Sequence, residues 1–231
     1  MKAMILAAGK GERMRPLTLT TPKPLLEAGG RPLIAYHLEN LQQAGFRDVI
    51  INHAWLGEQI EQWLGNGEQF GLTVRYSAEG EPLETAGGIV RALPLLTDAG
   101  DEWFVVLNGD IWTDFPLERL LEIPTDPDCD ALLVLTRNPE HHPAGDFHLS
   151  PDGRLASDGD HTLTFTGISL LNRRLFSGLD DSAGKLGPLL RQAIGRNRVR
   201  GIQHHGSWMD IGTPARLAEL DALLTGSRSR A

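Results

Sequence analysis

Residues 6 to 25 read LAAGKGERMRPLTLTTPKPL, and they hold four residues that could handle an anion together. Gly9 and Gly11 turn the chain directly after the apolar run Met4-Ile5-Leu6; Arg13 follows in the loop, and Lys23 stands between Pro22 and Pro24. A strand running into a glycine turn presents backbone amides to phosphate, and cations beside the turn neutralise its charge. Arg13 supplies a planar, always-charged fork. The flanking prolines restrict the backbone of Lys23, which sets it apart from a solvated surface lysine. Taken alone, the two glycines read equally well as simple turn formers. A dinucleotide fingerprint requires a third glycine where Met14 stands, and no Gly-Lys-Ser/Thr closes a Walker loop.

Two carboxylates add a second kind of chemistry. Asp110 follows the apolar run 103–107 in an Asn-Gly-Asp turn. Asp210 lies in WMDIGTP, where Thr213 can cap a helix that has Pro214 as its first residue. Either aspartate alone reads also as a cap or turn residue. Two of them, with a cationic phosphate loop in the same chain, favour a shared divalent cation, Mg2+, held against phosphates. The eight histidines carry no zinc signature: His141-His142 and His204-His205 are adjacent pairs, not i, i+4 pairs. No Gly-x-Ser-x-Gly elbow is present, which disfavours a serine hydrolase.

These residues need a scaffold, and the hydrophobic pattern predicts one. Short apolar runs predict strands over 2–7, 48–52 and 103–107, alternation predicts one over 72–76, and helical spacing predicts helices over 31–44, 56–64 and 86–96. In the second half, strands are expected over 131–136 and 163–171. A hairpin is expected over 146–149 and 153–155, and helices near 186–194 and 214–224. Strand-helix alternation implies a three-layer α/β/α sandwich around a mixed, mostly parallel sheet. Ligands should bind beyond the C-terminal ends of the strands, where the Gly9 and Asp110 turns both fall. One domain is expected over 1–231, with a fraying tail, GSRSRA.

Composition limits the partners. With 22 Lys and Arg against 30 Asp and Glu, the net charge of −8 argues against a general nucleic-acid or anionic-membrane surface. Cys129 is the only cysteine, so no intramolecular disulfide forms, and a reducing compartment is expected. The chain lacks the run of about 18 apolar residues that a membrane span needs. Its N-terminal apolar stretch is broken by Gly9-Lys10-Gly11 and does not read as a signal peptide. The cytoplasm is the expected location.

Nearly the whole chain resembles the sugar-1-phosphate nucleotidylyltransferase family. The resemblance is carried by residues 6–13 with Lys23, by Leu83-Glu84-Thr85-Ala86-Gly87-Gly88, by Leu107-Asn108-Gly109-Asp110, by Phe165-Thr166-Gly167-Ile168 and by Trp208-Met209-Asp210. It implies a Rossmann-like nucleotidyltransferase fold with a nucleotide half of about 1–114 and a sugar half of about 115–225. It implies that Leu6, Ala8, Gly9, Gly11, Glu12, Arg13, Lys23, Leu83, Thr85 and Asn108 contact the nucleotide, with Arg13 and Lys23 acting on its phosphates. Asp110 and Asp210 would bind Mg2+, and Gly145, Asp160 and Asn172 would serve the sugar. The strings EPLETAGG, NGDIWTDF and NPEHHPAGDF narrow the resemblance to uridylyl transfer. The implied partners are UTP and a sugar 1-phosphate, N-acetylmuramic acid 1-phosphate, in cell-wall recycling, with a monomer favoured. Two departures stand out. Glu84-Thr85 replaces the Gly-Thr of many relatives, and Asp158-Gly159-Asp160 lacks the lysine of their Glu-Lys pair. Guanylyl or thymidylyl transfer to another sugar 1-phosphate, and a nucleotide-sugar sensor without turnover, are the alternatives.

Overall fold

The computed structural model describes residues 1–98, 100–122 and 127–228. The last three residues of the tail expected to fray, 229–231, lie outside the described residues. The chain begins with β1 (Lys2–Leu6), a short hairpin of β2 (Glu27–Ala28) and β3 (Arg31–Pro32), α1 (Leu33–Gln43), β4 (Asp48–His53), α2 (Gly57–Leu64), β5 (Thr73–Ala78), α3 (Thr85–Leu96) and β6 (Trp103–Asn108). It continues with β7 (Ile111–Thr113), α4 (Arg119–Glu122), β8 (Ala131–Thr136), β9 (Phe147–Leu149), β10 (Leu155–Ala156) and β11 (Thr162–Asn172). It ends with α5 (Leu186–Gly195), β12 (Val199–Gln203), β13 (Trp208–Asp210) and α6 (Pro214–Arg228).

Nine strands form one mixed sheet. Its path runs β10-β9-β11-β6-β1-β4-β5, with β8 beside β11 and β12 beside β8. β6, β1, β4 and β5 are parallel; the apolar runs of β6, β1 and β4 suit strands covered on both faces, while β5, at the sheet edge, alternates. Alternate residues serve the two faces. Ala3, Ile5, Val49 and Ile51 pack with Ile34, Leu38 and Leu41 of α1 and with Ile60 and Leu64 of α2. Met4, Ile50, Phe104 and Val106 pack with Ala86, Ile89 and Leu96 of α3 and with Leu190 and Ile194 of α5. This is the expected three-layer sandwich.

The register places the loops. Leu6 pairs with Asn52 on one side and Asn108 on the other, so the strand ends that open the Gly9 loop and the Asp110 turn lie in one row. β11 runs antiparallel to β6, with Ile168 opposite Leu107 and Asn172 opposite Trp103. A bulge interrupts β11 between Phe165 and Ser169. Gly167 sits in that bulge at φ +81°, where a Cβ would stand 2.6 Å from Asn108 Nδ2. Glycine is therefore required there by both backbone and space.

Five strands had no signal in the sequence: β2 and β3, of two residues each, and β7, β12 and β13. β7 and β13 are three residues each, too short for periodicity, and Gly201 interrupts β12. β7 and β13 pair antiparallel with Asp210 opposite Ile111, and Ile211 N donates to Asp110 O at 2.7 Å. α6 starts at Pro214, and Thr213 Oγ1 accepts from Arg216 N at 3.4 Å. Leu220 of α6 packs with Met14, Leu26, Ala28, Leu33 and Ile211, which draws the C-terminal segment against the phosphate loop.

Candidate active site

The glycine loop is held by its own carbonyl. Gly11 adopts φ 61°, and its oxygen accepts from Met14 N and from Thr18 Oγ1, each at 2.8 Å. A single 3-10 turn, Glu12–Met14, follows. Met14 is fully buried in the small core beneath α6, so it anchors the loop where a dinucleotide fingerprint would carry glycine. After another 3-10 turn over Leu17–Leu19, Lys23 opens a third between extended Pro22 and buried Pro24. Its Nζ donates to Asp110 Oδ2 at 2.7 Å; the lysine side chain is 11% exposed and the aspartate 38%.

Two clefts open at this end of the sheet. The first, about 490 Å³, is lined by Leu6, Ala8, Gly9, Gly11 and Glu12 of the loop, by Lys23, and by Leu83, Glu84 and Thr85. The second, about 370 Å³, lies between the β7–β13 ladder, the loop 139–146 and the bulged start of β11. Asp146, Thr164, Phe165 and Trp208 face it. Trp208 Nε1 donates to Thr166 O at 2.9 Å, which fixes the indole. Arg13, Asn108 and Asp110 line both clefts. The clefts therefore meet at one cation, one amide and one carboxylate.

The β7–β13 pairing sets Asp210, the last residue of β13, opposite Ile111 and so beside the turn that carries Asp110, and Asp210 also lines the second cleft. Each aspartate has one committed oxygen. Lys23 holds Asp110 Oδ2, while Arg216 Nη1 and His141 Nε2 each lie 2.7 Å from Asp210 Oδ1. Asp110 Oδ1 and Asp210 Oδ2 make no hydrogen bond to the described residues. Gly212 keeps this space open: a Cβ there would stand 3.2 Å from both Asp210 Oδ2 and Arg13 Nη2. Two uncommitted carboxylate oxygens facing a phosphate site are hard donors of the kind Mg2+ takes. Among the described residues, no group of three or more His, Cys, Asp or Glu side chains is placed to hold a metal ion. Phosphate oxygens would have to complete such a site. His37 of α1 is buried beneath the Asp110 turn with its Nε2 unpartnered. Burial pushes its pKa down to about 4, against the opposing pull of Asp110 and the backbone of Ile111 and Gly109.

The three residues expected on the sugar side are placed differently. Gly145, at φ +63°, turns the chain against Asn138 and Thr162 and into Asp146, which faces the second cleft. Asp160 is exposed in the loop before β11 and lines neither cleft. Asn172 is fully buried at the opposite end of β11, five residues past Gly167, or ~17 Å along a strand. Its Oδ1 accepts from Arg174 N at 2.9 Å and caps the 3-10 turn Arg173–Phe176. Neither Asp160 nor Asn172 joins the cluster. His141, Asp146, Trp208 and Arg216 do join it, and sequence reasoning missed their roles. The signal for Trp208 lay in its place two residues before Asp210; Arg216 follows the Thr213-Pro214 helix start at the spacing of a first turn.

A Rossmann-like mixed sheet with a glycine-arginine loop at its parallel strand ends and two aspartates on a flanking ladder is the arrangement of a nucleotidyl transferase. Residues 2–147 match the family model described as Nucleotidyl transferase, and the chain belongs to that family. It is 50% identical over 229 residues to the N-acetylmuramate alpha-1-phosphate uridylyltransferase of Neisseria meningitidis, covering 96% of this chain and 98% of that one. It is 32% identical over 221 residues to a mannose-1-phosphate guanylyltransferase catalytic subunit beta of Drosophila pseudoobscura, of whose length it spans only 59%. A Bacillus anthracis crystal structure, provisionally assigned as a glucose-1-phosphate thymidylyltransferase, superposes with a TM-score of 0.82. It is 26% identical and covers 97% of this chain and 95% of that one. No helix among the described residues is long and apolar enough to cross a membrane.

Proposed function

We propose that this enzyme transfers the uridylyl group of UTP to N-acetylmuramic acid 1-phosphate, releasing pyrophosphate, in cell-wall recycling. The observation that carries the reading is the junction of two clefts at Arg13, Asn108 and Asp110. The first cleft, built mainly by residues 1–114, takes the nucleotide, and the second, built mainly by 115–225, takes the sugar phosphate. The nucleotide and sugar choices rest on the uridylyltransferase relative, which matches end to end.

The chain's residues then divide the work. Backbone amides of the Gly9–Gly11 loop and the Arg13 fork hold the triphosphate. Lys23 is kept on the phosphate side by its bond to Asp110 and neutralises charge that grows at the α-phosphorus. Leu83 and Thr85 border the uracil, and Asn108 lies near the ribose. Trp208 and Phe165 offer flat faces to a sugar ring, and Asp146 offers a partly exposed carboxylate to its substituents. Mg2+ between Asp110 and Asp210 would supply charge neutralisation and alignment of the phosphates. The attacking oxygen belongs to a phosphate monoester, whose second pKa of ~6 leaves it mostly dianionic at neutral pH, so no general base is needed. His141 and His142 of the second cleft are paired with Asp210 and Asp146, and His37 is buried. One chain carries both clefts, so a monomer suffices, and the cytoplasm is where it would act.

The test is a matrix of nucleoside triphosphates against sugar 1-phosphates, scored as pyrophosphate release with Mg2+. UTP with N-acetylmuramic acid 1-phosphate should give the highest kcat/KM. A different best pair would overturn the substrate assignment, and GTP with mannose 1-phosphate would favour the guanylyltransferase relatives.

A further inference from the structure

A buried polar bridge joins the two walls of the first cleft, and the mechanism above does not use it. Ala7 N, at the start of the phosphate loop, donates to Asn52 Oδ1 at 2.9 Å. Asn52 Nδ2 donates to Glu79 Oε1 at 2.6 Å, and Leu83 N, at the start of the segment 83–85, donates to Glu79 Oε2 at 2.8 Å. Asn52 is 4% exposed and Glu79 6%. Three donors meet three acceptors in line, so every member of the chain is satisfied without solvent. The surroundings are shaped around it. A Cβ on Gly88, in the first turn of α3, would stand 2.5 Å from Glu79 Oε1 and 2.9 Å from Asn52 Nδ2. Arg91 Nη1 donates to Glu79 O at 2.7 Å and holds the backbone of the same residue.

Asn52 is the last residue but one of β4, and Glu79 directly follows β5 with its N donating to His53 O at 2.9 Å, so the sheet anchors the backbones of both bridge residues. The loops themselves are irregular, and the backbone donors at the two ends of the bridge, Ala7 N and Leu83 N, are held by side chains and not by the sheet. We propose that Asn52 and Glu79 are positioning residues for the nucleotide: their side chains fix the distance between the phosphate loop and the base segment, and so set nucleotide affinity without touching the reacting atoms. This rests on the reading of the first cleft as the UTP site.

The direction of the bridge makes the proposal testable. Glu79→Gln places an amide donor against either the Asn52 amide or Leu83 N. Asn52→Asp sets two carboxylates face to face. An unmade hydrogen bond between buried groups is costly, so each single change should push the walls apart. The double change Asn52→Asp with Glu79→Gln reverses the bridge. The carboxylate introduced at position 52 then accepts from Ala7 N and from the amide introduced at position 79, and the carbonyl of that amide accepts from Leu83 N. Three donors again meet three acceptors.

UTP binding is measured by titration calorimetry on the folded proteins in the absence of sugar phosphate, beside steady-state kinetics and thermal unfolding. Each single variant should weaken UTP binding about tenfold or more, with the KM for the sugar 1-phosphate within twofold of wild type. The double variant should recover binding to within about threefold. Gly88→Ala, which displaces Glu79 without changing its chemistry, should weaken UTP binding in the same direction and serves if a polar variant does not fold. UTP affinity unchanged in the single variants and in Gly88→Ala, or a double variant no better than the worse single one, would overturn the proposal. A wild-type protein that binds no UTP would instead overturn the reading of the cleft.

Discussion

Replacing Lys23 with alanine removes an ammonium group that the fold holds in the first cleft, against Asp110 at the junction of the two. Its Nζ lies 2.7 Å from Asp110 Oδ2, and its side chain is 11% exposed, held between Pro22 and Pro24. A charge fixed in this way needs no reorganisation as negative charge develops on the transferring phosphoryl group. Losing one such contact typically costs ~3 kcal/mol of transition-state stabilisation, which is about 100-fold in rate. Stability should change little. Asp110 keeps access to water at 38% exposure, and a partly exposed ion pair contributes only about 0–1 kcal/mol. Pyrophosphate release at saturating UTP should therefore fall at least ~100-fold in kcat, with the unfolding temperature shifted by no more than a few degrees. Lys23→Arg should recover part of the loss, because it keeps the charge but not the ammonium geometry. A kcat within threefold of wild type in a folded Lys23→Ala protein would remove the lysine from the mechanism.

Asp210→Asn should raise the Mg2+ concentration needed for half-maximal rate about tenfold or more, and an unchanged metal titration would count against a site shared with Asp110. Gly167→Ala forces a left-handed φ of +81° on a side chain that would also press on Asn108. A cost of ~1–3 kcal/mol should lower the unfolding temperature by roughly 2–12 °C, and no change would contradict the bulge geometry. Asn172→Ala should lose about 1 kcal/mol of stability from the lost cap while kcat and both KM values stay within twofold; a large kinetic effect would return Asn172 to the site. His37 should make stability acid-sensitive. Its pKa is near 6.5 unfolded and about 4 folded, so the unfolded chain takes up the proton first. Stability is full above about 6.5 and declines by ~3 kcal/mol as pH falls toward 4. Denaturant titrations should show a flatter acid limb in His37→Gln, and parallel limbs would refute the assignment.

What could be read from the sequence depended on whether the information was local. The phosphate loop is contiguous, since both glycines, Arg13 and Lys23 fall within one short stretch after a buried strand. The parallel strands β1, β4 and β6 were legible for a similar reason, because burial on both faces leaves an unbroken apolar run, whereas β5 shows only as an alternation. The aspartate pair needed tertiary information. Asp110 and Asp210 become neighbours only through β7 and β13, which are too short to show a period of two. Asn172 illustrates a different limit. Its place on the sugar side is implied only by the family resemblance, and the apolar run that precedes it does not reveal its own direction. β11 is antiparallel, so its C-terminal end faces away from the clefts. Asn52 and Glu79 stand at the ends of parallel strands, on the cleft side of the sheet, but their partnership depends on a side-chain geometry that spacing does not encode.

The claim that most needs testing is direct transfer between the two clefts. Phosphorus NMR of the purified enzyme with UTP, N-acetylmuramic acid 1-phosphate and Mg2+ reads both products at once. The account predicts UDP-N-acetylmuramic acid and pyrophosphate in equal amounts, with neither formed when the sugar phosphate is left out. UMP in place of the nucleotide sugar, or no consumption of UTP with both substrates present, would contradict it.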